Sequence, residues 1–273
     1  MVMRQAQGIV TIVTPAFNSV KYIEQTVQSV LLQDYPEIEY LVVDGGSGDG
    51  TLDILKRYSD RLQWTSEPDH GMYDAVNKGW RRARGQYAMY VNSDDLLCPG
   101  ALHLLVSFME EHPECEMVYG DCYRITETGE VIERIHAGQA TFEQLLNYGN
   151  NIFSGTMLLR SGLLDQVGWM DSSLSESADY DFCLRVARRR TLGYIPEPIA
   201  MFRMHSGQLT QTTWNQGREG IAISRKYGGR KFSPLYFMYL ANVILRLFPS
   251  SLTMSRTLLP LRQILRRIWR LSN

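Results

Sequence analysis

The stretch "TIVTPAFNSVKYIEQTVQSVLLQDYPEIEYLVVDGGSGDGT" (Thr11–Thr51) decides how this chain is read. It opens on a Val/Ile/Thr run that stops at Pro15. Val20, Ile23, Val27, Val30 and Leu31 then recur at helical spacing, and "IEYLVVD" returns to a continuous apolar run before a glycine-rich turn. Strand, helix and strand of these lengths make a crossover that lays two strands side by side in parallel. The alternation continues through "LQWTSE", "MYDAVNKGWRRAR" and "GQYAMYVN". An α/β fold is expected, with a Rossmann-like, mostly parallel sheet flanked by helices. Ligands of such sheets lie beyond the carboxyl ends of the strands.

Asp44, Glu67 and the pair Asp94–Asp95 all fall just past the ends of these apolar runs. Two adjacent carboxylates repel each other unless a cation or a structural role holds them. One reading is a hard divalent ion, Mg²⁺ or Mn²⁺, which keeps oxygen ligands and bridges to phosphates. The other is a helix cap before "CPGALHLL", since aspartate is favoured there. The loop "DGGSGDGT" (Asp44–Thr51) is neither a lysine-bearing phosphate loop nor a complete dinucleotide fingerprint. It reads as a tight turn with Asp49 or Thr51 at the following helix start, or as a base- or ribose-contacting segment.

Two longer segments carry a resemblance: Thr11–Thr51 and "SEPDHGMYDAVNKGWRRARGQYAMYVNSDD" (Ser66–Asp95). Together with "SADYDF" (Ser177–Phe182) and "MFRMHSGQLT" (Met201–Thr210), they resemble family 2 of the inverting, nucleotide-sugar-dependent glycosyltransferases. The resemblance implies the GT-A fold. It places Thr14, Pro15 and Ala16 at the nucleobase by their backbone, Asp44 at the base, and Asp69 and Lys78 in the donor pocket. Asp94 would face the ribose and Asp95 the divalent metal, although "NSDD" departs from the strict D-x-D spacing. His205 would approach the diphosphate or the metal. Asp179 would be the catalytic base; Ala178 stands where the family usually has glutamate, so Asp181 and Glu176 remain lesser candidates. Helix-dipole complementation explains Asp179 and Asp181 equally well. Trp80, Trp169 and Tyr73 read as core aromatics or as stacking surfaces. A metal-dependent nucleotidyltransferase and a non-catalytic nucleotide-sugar-binding module are the alternatives to a transferase.

The chain has 273 residues with a net charge of −1, but the average hides a split. Residues 1–216 carry −11 and residues 217–273 carry +10. The expected division is a transferase domain over 1–216 and a basic helical tail over 217–273. In "LRQILRRIWRL" (Leu261–Leu271), leucine, isoleucine and tryptophan gather on one helical side and four arginines on the other, a pattern suited to an anionic membrane surface. Packing of that segment on the acidic body is the plainer alternative. The acidic body argues against nucleic acid as a partner. Four cysteines without metal-site spacing read as reduced thiols, and the start shows no signal-peptide pattern. Together these suggest a cytoplasmic protein at the inner face of a membrane, acting on a saccharide acceptor, lipid-linked on this reading. No Q-x-x-R-W segment of polymer-building relatives is present, which favours addition of one sugar.

Overall fold

A computed structural model describes residues 8–208 and 213–247. The first half builds β1 (Val10–Ala16), α1 (Ile23–Leu31), β2 (Ile38–Asp44), α2 (Thr51–Arg57), β3 (Gln63–Ser66), α3 (Met72–Arg81) and β4 (Tyr87–Tyr90). β3, β2, β1 and β4 lie side by side in that order, all parallel. Then follow β5 (Leu96–Leu97), α4 (Ala101–Glu111), β6 (Met117–Ile125), β7 (Val131–Ile135), α5 (Phe142–Tyr148), β8 (Leu158–Arg160), α6 (Leu163–Val167), α7 (Ala178–Ala187), β9 (Gly193–Arg203), α8 (Thr213–Lys226) and α9 (Pro234–Leu247).

Both faces of the parallel strands are covered, which is why their sequences read as unbroken apolar runs. Val13, Leu41, Val43, Ala88 and Tyr90 pack with α3 residues Tyr73, Val76 and Trp80 on one face. Val10, Ile12, Tyr40, Val42, Tyr87 and Met89 pack on the other with Ile23 and Val27 of α1, Leu55 of α2 and Leu105 of α4. α3 lies so close to β1 that a Cβ on Gly79 would stand 2.4 Å from Val13 Cγ1.

Beyond β4 the sheet is no longer parallel throughout. β8 pairs antiparallel with both β4 and β6, β9 runs parallel to β6, and β5 is antiparallel to β9. The expectation of a mostly parallel sheet therefore holds for the first four strands, and the assembled sheet is mixed. The "ETGE" turn closes the β6–β7 hairpin, as read from the sequence.

Gln216 lies inside α8, so the compositional boundary does not coincide with a structural one. Ile223 of α8 is 3% exposed in the main core, and Lys226 Nζ and Tyr227 Oη reach Asp181 of α7 at 3.0 Å each. Ser224 Oγ donates to the Leu146 carbonyl of α5. The described part of the basic segment is thus integral to the body. The amphipathic stretch Leu261–Leu271 lies outside the described residues.

Candidate active site

A cleft of about 1250 Å³ opens beyond the carboxyl ends of β1, β2 and β4. Pockets for one small ligand run to roughly 300–1,000 Å³, so this one has room for two reactants. One half is lined by Pro15, Ala16, Phe17 and Asn18 after β1, Gly45 after β2, Asp69 before α3, and Asn92, Ser93 and Asp94 after β4. The other half is lined by Tyr148, Asn150, Glu176 and Asp179, with Gln216 and Gly217 of α8 and Leu235, Met238 and Tyr239 of α9.

Of the residues expected at a base, Pro15 and Ala16 line the cleft, while Thr14 is fully buried with Oγ1 3.1 Å from the Tyr40 hydroxyl. Asp44 is corrected. Its carboxylate is fully buried and accepts hydrogen bonds from the Gly46 and Ser47 amides and from the Ser47 and Ser66 hydroxyls. Those donors consume its acceptor capacity, so Asp44 shapes the glycine turn and does not line the cleft. The space beside it is taken by Asp69. A Cβ on Gly45 would meet Asp69 Oδ2 at 2.7 Å, so the missing side chain at 45 lets the Asp69 carboxylate sit there. Asp69 also accepts from the Gly71 amide at 2.8 Å.

Lys78 is likewise corrected to a supporting place outside the cleft lining. Its Nζ donates to the Pro68 carbonyl at 3.1 Å and pairs with Glu67 at 3.0 Å, fixing the segment that presents Asp69. Phe17 was missed from the sequence. It is 63% exposed in the cleft beside Pro15 and Ala16, where an aromatic face has nothing of its own to pack on.

The adjacent aspartates are placed differently. α4 starts at Ala101 after Gly100, so neither aspartate caps it. Asp94 faces the cleft, and its Oδ2 lies 2.8 Å from His205 Nε2. Asp95 points inward, 3% exposed: Oδ1 accepts from the Arg203 amide at 3.0 Å and Oδ2 from Asn92 Nδ2 at 3.1 Å. Burial, with Asp94 alongside, pushes the Asp95 carboxyl well above the usual carboxylate range. Asp94 and His205 thus line the cleft, with Asp95 buried behind them.

Among the described residues no three His, Cys, Asp or Glu side chains converge as a closed metal cage. One carboxylate and one imidazole at an open cleft still suit Mg²⁺ or Mn²⁺, which take few protein ligands and fill the rest with water and phosphate oxygens.

What aligns this pair was not legible in the sequence. The Arg203 guanidinium is fully buried; it donates to the Asp94 carbonyl (2.8 Å), the Glu127 carbonyl (2.7 Å) and Gln25 Oε1 (2.7 Å). It also lies 5.0 Å from the Tyr22 ring centroid, and that ring packs on His205 at 4.7 Å. One side chain at the end of β9 thus ties α1, the β6–β7 turn and the Asp94 backbone together.

Asp179 sits in the first turn of α7 and faces the same cleft. Its carboxylate accepts from the Tyr180 amide at 2.8 Å, Tyr73 Oη at 3.3 Å and Asn150 Nδ2 at 3.3 Å. Burial outweighs these donors and lifts its pKa to about 6. A carboxylate of that basicity is ionised at neutral pH yet accepts a proton more readily than an exposed one. Asp181, the neighbouring candidate, is 1% exposed, bound by Arg185, Lys226 and Tyr227, and outside the cleft lining. Glu176 does line the cleft, held by its amide to Glu219 of α8. Trp80 is a core residue, and Trp169 lies under Arg81 away from the cleft.

Four acidic positions were expected to meet around one ion and its cargo. Asp94 and Asp179 face the shared cleft, whereas Asp44 and Asp95 support it from behind.

Comparison with known proteins bears on this arrangement. Residues 11–167 match the profile described as glycosyl transferase family 2. A Bacillus subtilis chain named as a teichuronic acid biosynthesis glycosyltransferase, TuaG, is 34% identical over 232 residues, 82% of this chain and 90% of its own. An uncharacterised glycosyltransferase of Rickettsia typhi is 26% identical over 79% of this chain and 70% of its own. Among solved structures, Staphylococcus aureus TarS with UDP-GlcNAc superposes with a TM-score of 0.64 at 19% identity, over 91% of this chain and 74% of that one. The Pyrobaculum calidifontis mannosyltransferase PcManGT, solved with GDP-Man and Mn²⁺, gives 0.65 at 17% identity, over 88% and 70%. These two likenesses establish the GT-A-type fold.

Proposed function

Since the chain belongs to glycosyl transferase family 2, we propose that it moves one sugar, with inversion, from a nucleotide-sugar donor to a hydroxyl of a saccharide acceptor. The observation that carries this reading is the placing of Asp179 on the cleft that also holds the Asp94–His205 pair. The Pro15–Asn18 and Gly45 side receives the nucleotide, with Phe17 offering a face to the base and Asp69 an acceptor to its N–H edge or to a ribose hydroxyl. Asp179 takes the proton of the acceptor hydroxyl as its oxygen attacks the anomeric carbon; the bond to the diphosphate breaks on the opposite side. Tyr73 and Asn150 keep the carboxylate aimed at the cleft. Asp94 and His205 are the residues that would hold Mg²⁺ or Mn²⁺. Such an ion neutralises charge developing on the departing diphosphate.

TarS was solved with UDP-GlcNAc and PcManGT with GDP-Man and Mn²⁺; the reading here takes a UDP-sugar as donor, with a GDP-sugar as the alternative, and a divalent ion as cofactor. The name of the B. subtilis relative supports polysaccharide assembly; the proposal adds a lipid-linked acceptor at the cytoplasmic face of a membrane, with the basic tail holding the enzyme there. No helix among the described residues is long and apolar enough to cross a membrane.

The Asp179→Asn variant tests the reading. Donor binding, followed as a thermal shift with UDP-GlcNAc and Mn²⁺, is expected to persist while nucleoside diphosphate release falls roughly 10³-fold or more. Near wild-type release in that variant excludes Asp179 as the base, whereas absence of nucleoside diphosphate release from the wild-type chain as well favours nucleotidyl transfer or simple binding.

A further inference from the structure

α9 touches both the cleft and a bare apolar surface. On one side Leu235, Met238 and Tyr239 line the cleft. Leu235 packs on Gly149, where an added Cβ would stand 3.0 Å from Cδ1, and the Tyr239 ring covers Gly217 of α8. The opposite side, with the turn before it, leaves Phe232, Phe237 and Leu240 exposed at 62%, 52% and 39%. The Phe232 and Phe237 rings stack at 6.4 Å, and Tyr236 meets each edge-on at 5.6 and 5.7 Å. Lys231 Nζ lies 5.7 Å from the Phe232 ring centroid, Arg230 is exposed beside it, and Arg225 is exposed at the end of α8. Glu219 is the single acidic residue from 217 onward.

We propose that this outer face of α9 and the 230–233 turn dock on an anionic lipid bilayer, and that the docking holds the acceptor half of the cleft against the membrane. Leaving aromatic side chains in water forgoes about 25 cal/mol for each Å² of apolar surface that could be buried. Aromatic rings beside lysine and arginine are at home where lipid headgroups meet acyl chains. Each basic residue near an anionic surface adds to the attraction. The rings pack on one another and do not stand apart as separate platforms for stacking bases, which disfavours single-stranded nucleic acid as the occupant. The described part of α9 has 14 residues, about 21 Å at 1.5 Å per residue, less than a bilayer core of about 30 Å. It suits lying in the interface. With one face at the lipid and the other in the cleft, α9 would bring a membrane-anchored acceptor to Asp179 across the thickness of one helix. The docking stands independently; this last link rests on the lipid-linked acceptor proposed above.

The four native cysteines are buried, so a cysteine introduced at 237 is the accessible thiol among the described residues. Full-length Phe237→Cys, labelled with an environment-sensitive fluorophore, is mixed with vesicles of phosphatidylcholine alone or with a third phosphatidylglycerol. A blue-shifted, brighter emission is expected with the anionic vesicles, and none from the same label at Lys56→Cys on exposed α2. Full-length Phe232→Ser/Phe237→Ser is expected to bind those vesicles roughly tenfold or more weakly, with donor hydrolysis unchanged. Emission at 237 that is already blue without lipid and insensitive to it would mean that residues 248–273 or a second copy cover the patch, and overturns the proposal. Wild-type binding by the double variant, or equal response to uncharged vesicles, overturns it too. Nucleoside diphosphate release by the wild-type chain, measured without lipid, tells failure of docking from failure of the transferase reading.

Discussion

Asp179 shows how a single residue gains its chemistry from its surroundings. Its carboxyl titrates near 3.8 when unperturbed and is lifted to about 6 by burial. The acid limb of kcat/KM is therefore expected near pH 6, since a protonated carboxyl cannot accept the acceptor's proton. The same shift has a stability consequence. Between the two values the folded state binds more protons than the unfolded, so stability falls as pH rises and the cost is complete above about 6. Asp179→Asn is expected to gain about 1–2 kcal/mol at pH 7.5 and to lose that gain by about pH 4, read by thermal melts at both values. What the sequence disclosed at this scale was uneven. Pro15, Ala16, Asp69 and Asp179, expected from the family resemblance, do line the cleft. Which of Asp94 and Asp95 faces the cleft was not legible, because β9 settles it through the Arg203 amide, 108 positions away. Asp44 was misread for a similar reason: two of its four donors are serine hydroxyls, and one of them lies on β3.

At the scale of elements, the helices and parallel strands of the first half followed from apolar spacing, since each is short in sequence and buries a stripe or both faces. The mixed second half did not. β8 has three residues and β5 two, too few to show periodicity, and both are strands only because longer neighbours pair with them. Close packing of α3 on β1 makes a specific demand at Gly79. Gly79→Ala would gain helix propensity of about 1 kcal/mol, yet its methyl group would press on both Val13 methyl groups, at 2.4 and 2.7 Å. Overpacking of that kind costs about 1–3 kcal/mol. A net loss is expected in urea unfolding, with a midpoint below wild type.

For the whole molecule, charge suggested a body and a separable tail, but charge reports solvent exposure and not packing. α8 carries basic residues outward while Ile223 enters the core and Glu219 accepts from the Ser175 and Glu176 amides ahead of α7. A chain ending at Gln216 is therefore expected to melt well below full length, or to fail to refold, by calorimetry; melting at the wild-type temperature would restore the tail to independence. The position of β9 extends the point to biosynthesis. This last strand inserts between β6 and β5, delivering Arg203 and then His205 to a cleft whose other walls come from residues far earlier in the chain. During translation the nucleotide-facing half can emerge from the ribosome and collapse while its strand partner is still being synthesised. The nascent polypeptide would then lack the Arg203 and His205 side of the cleft until β9 has been made.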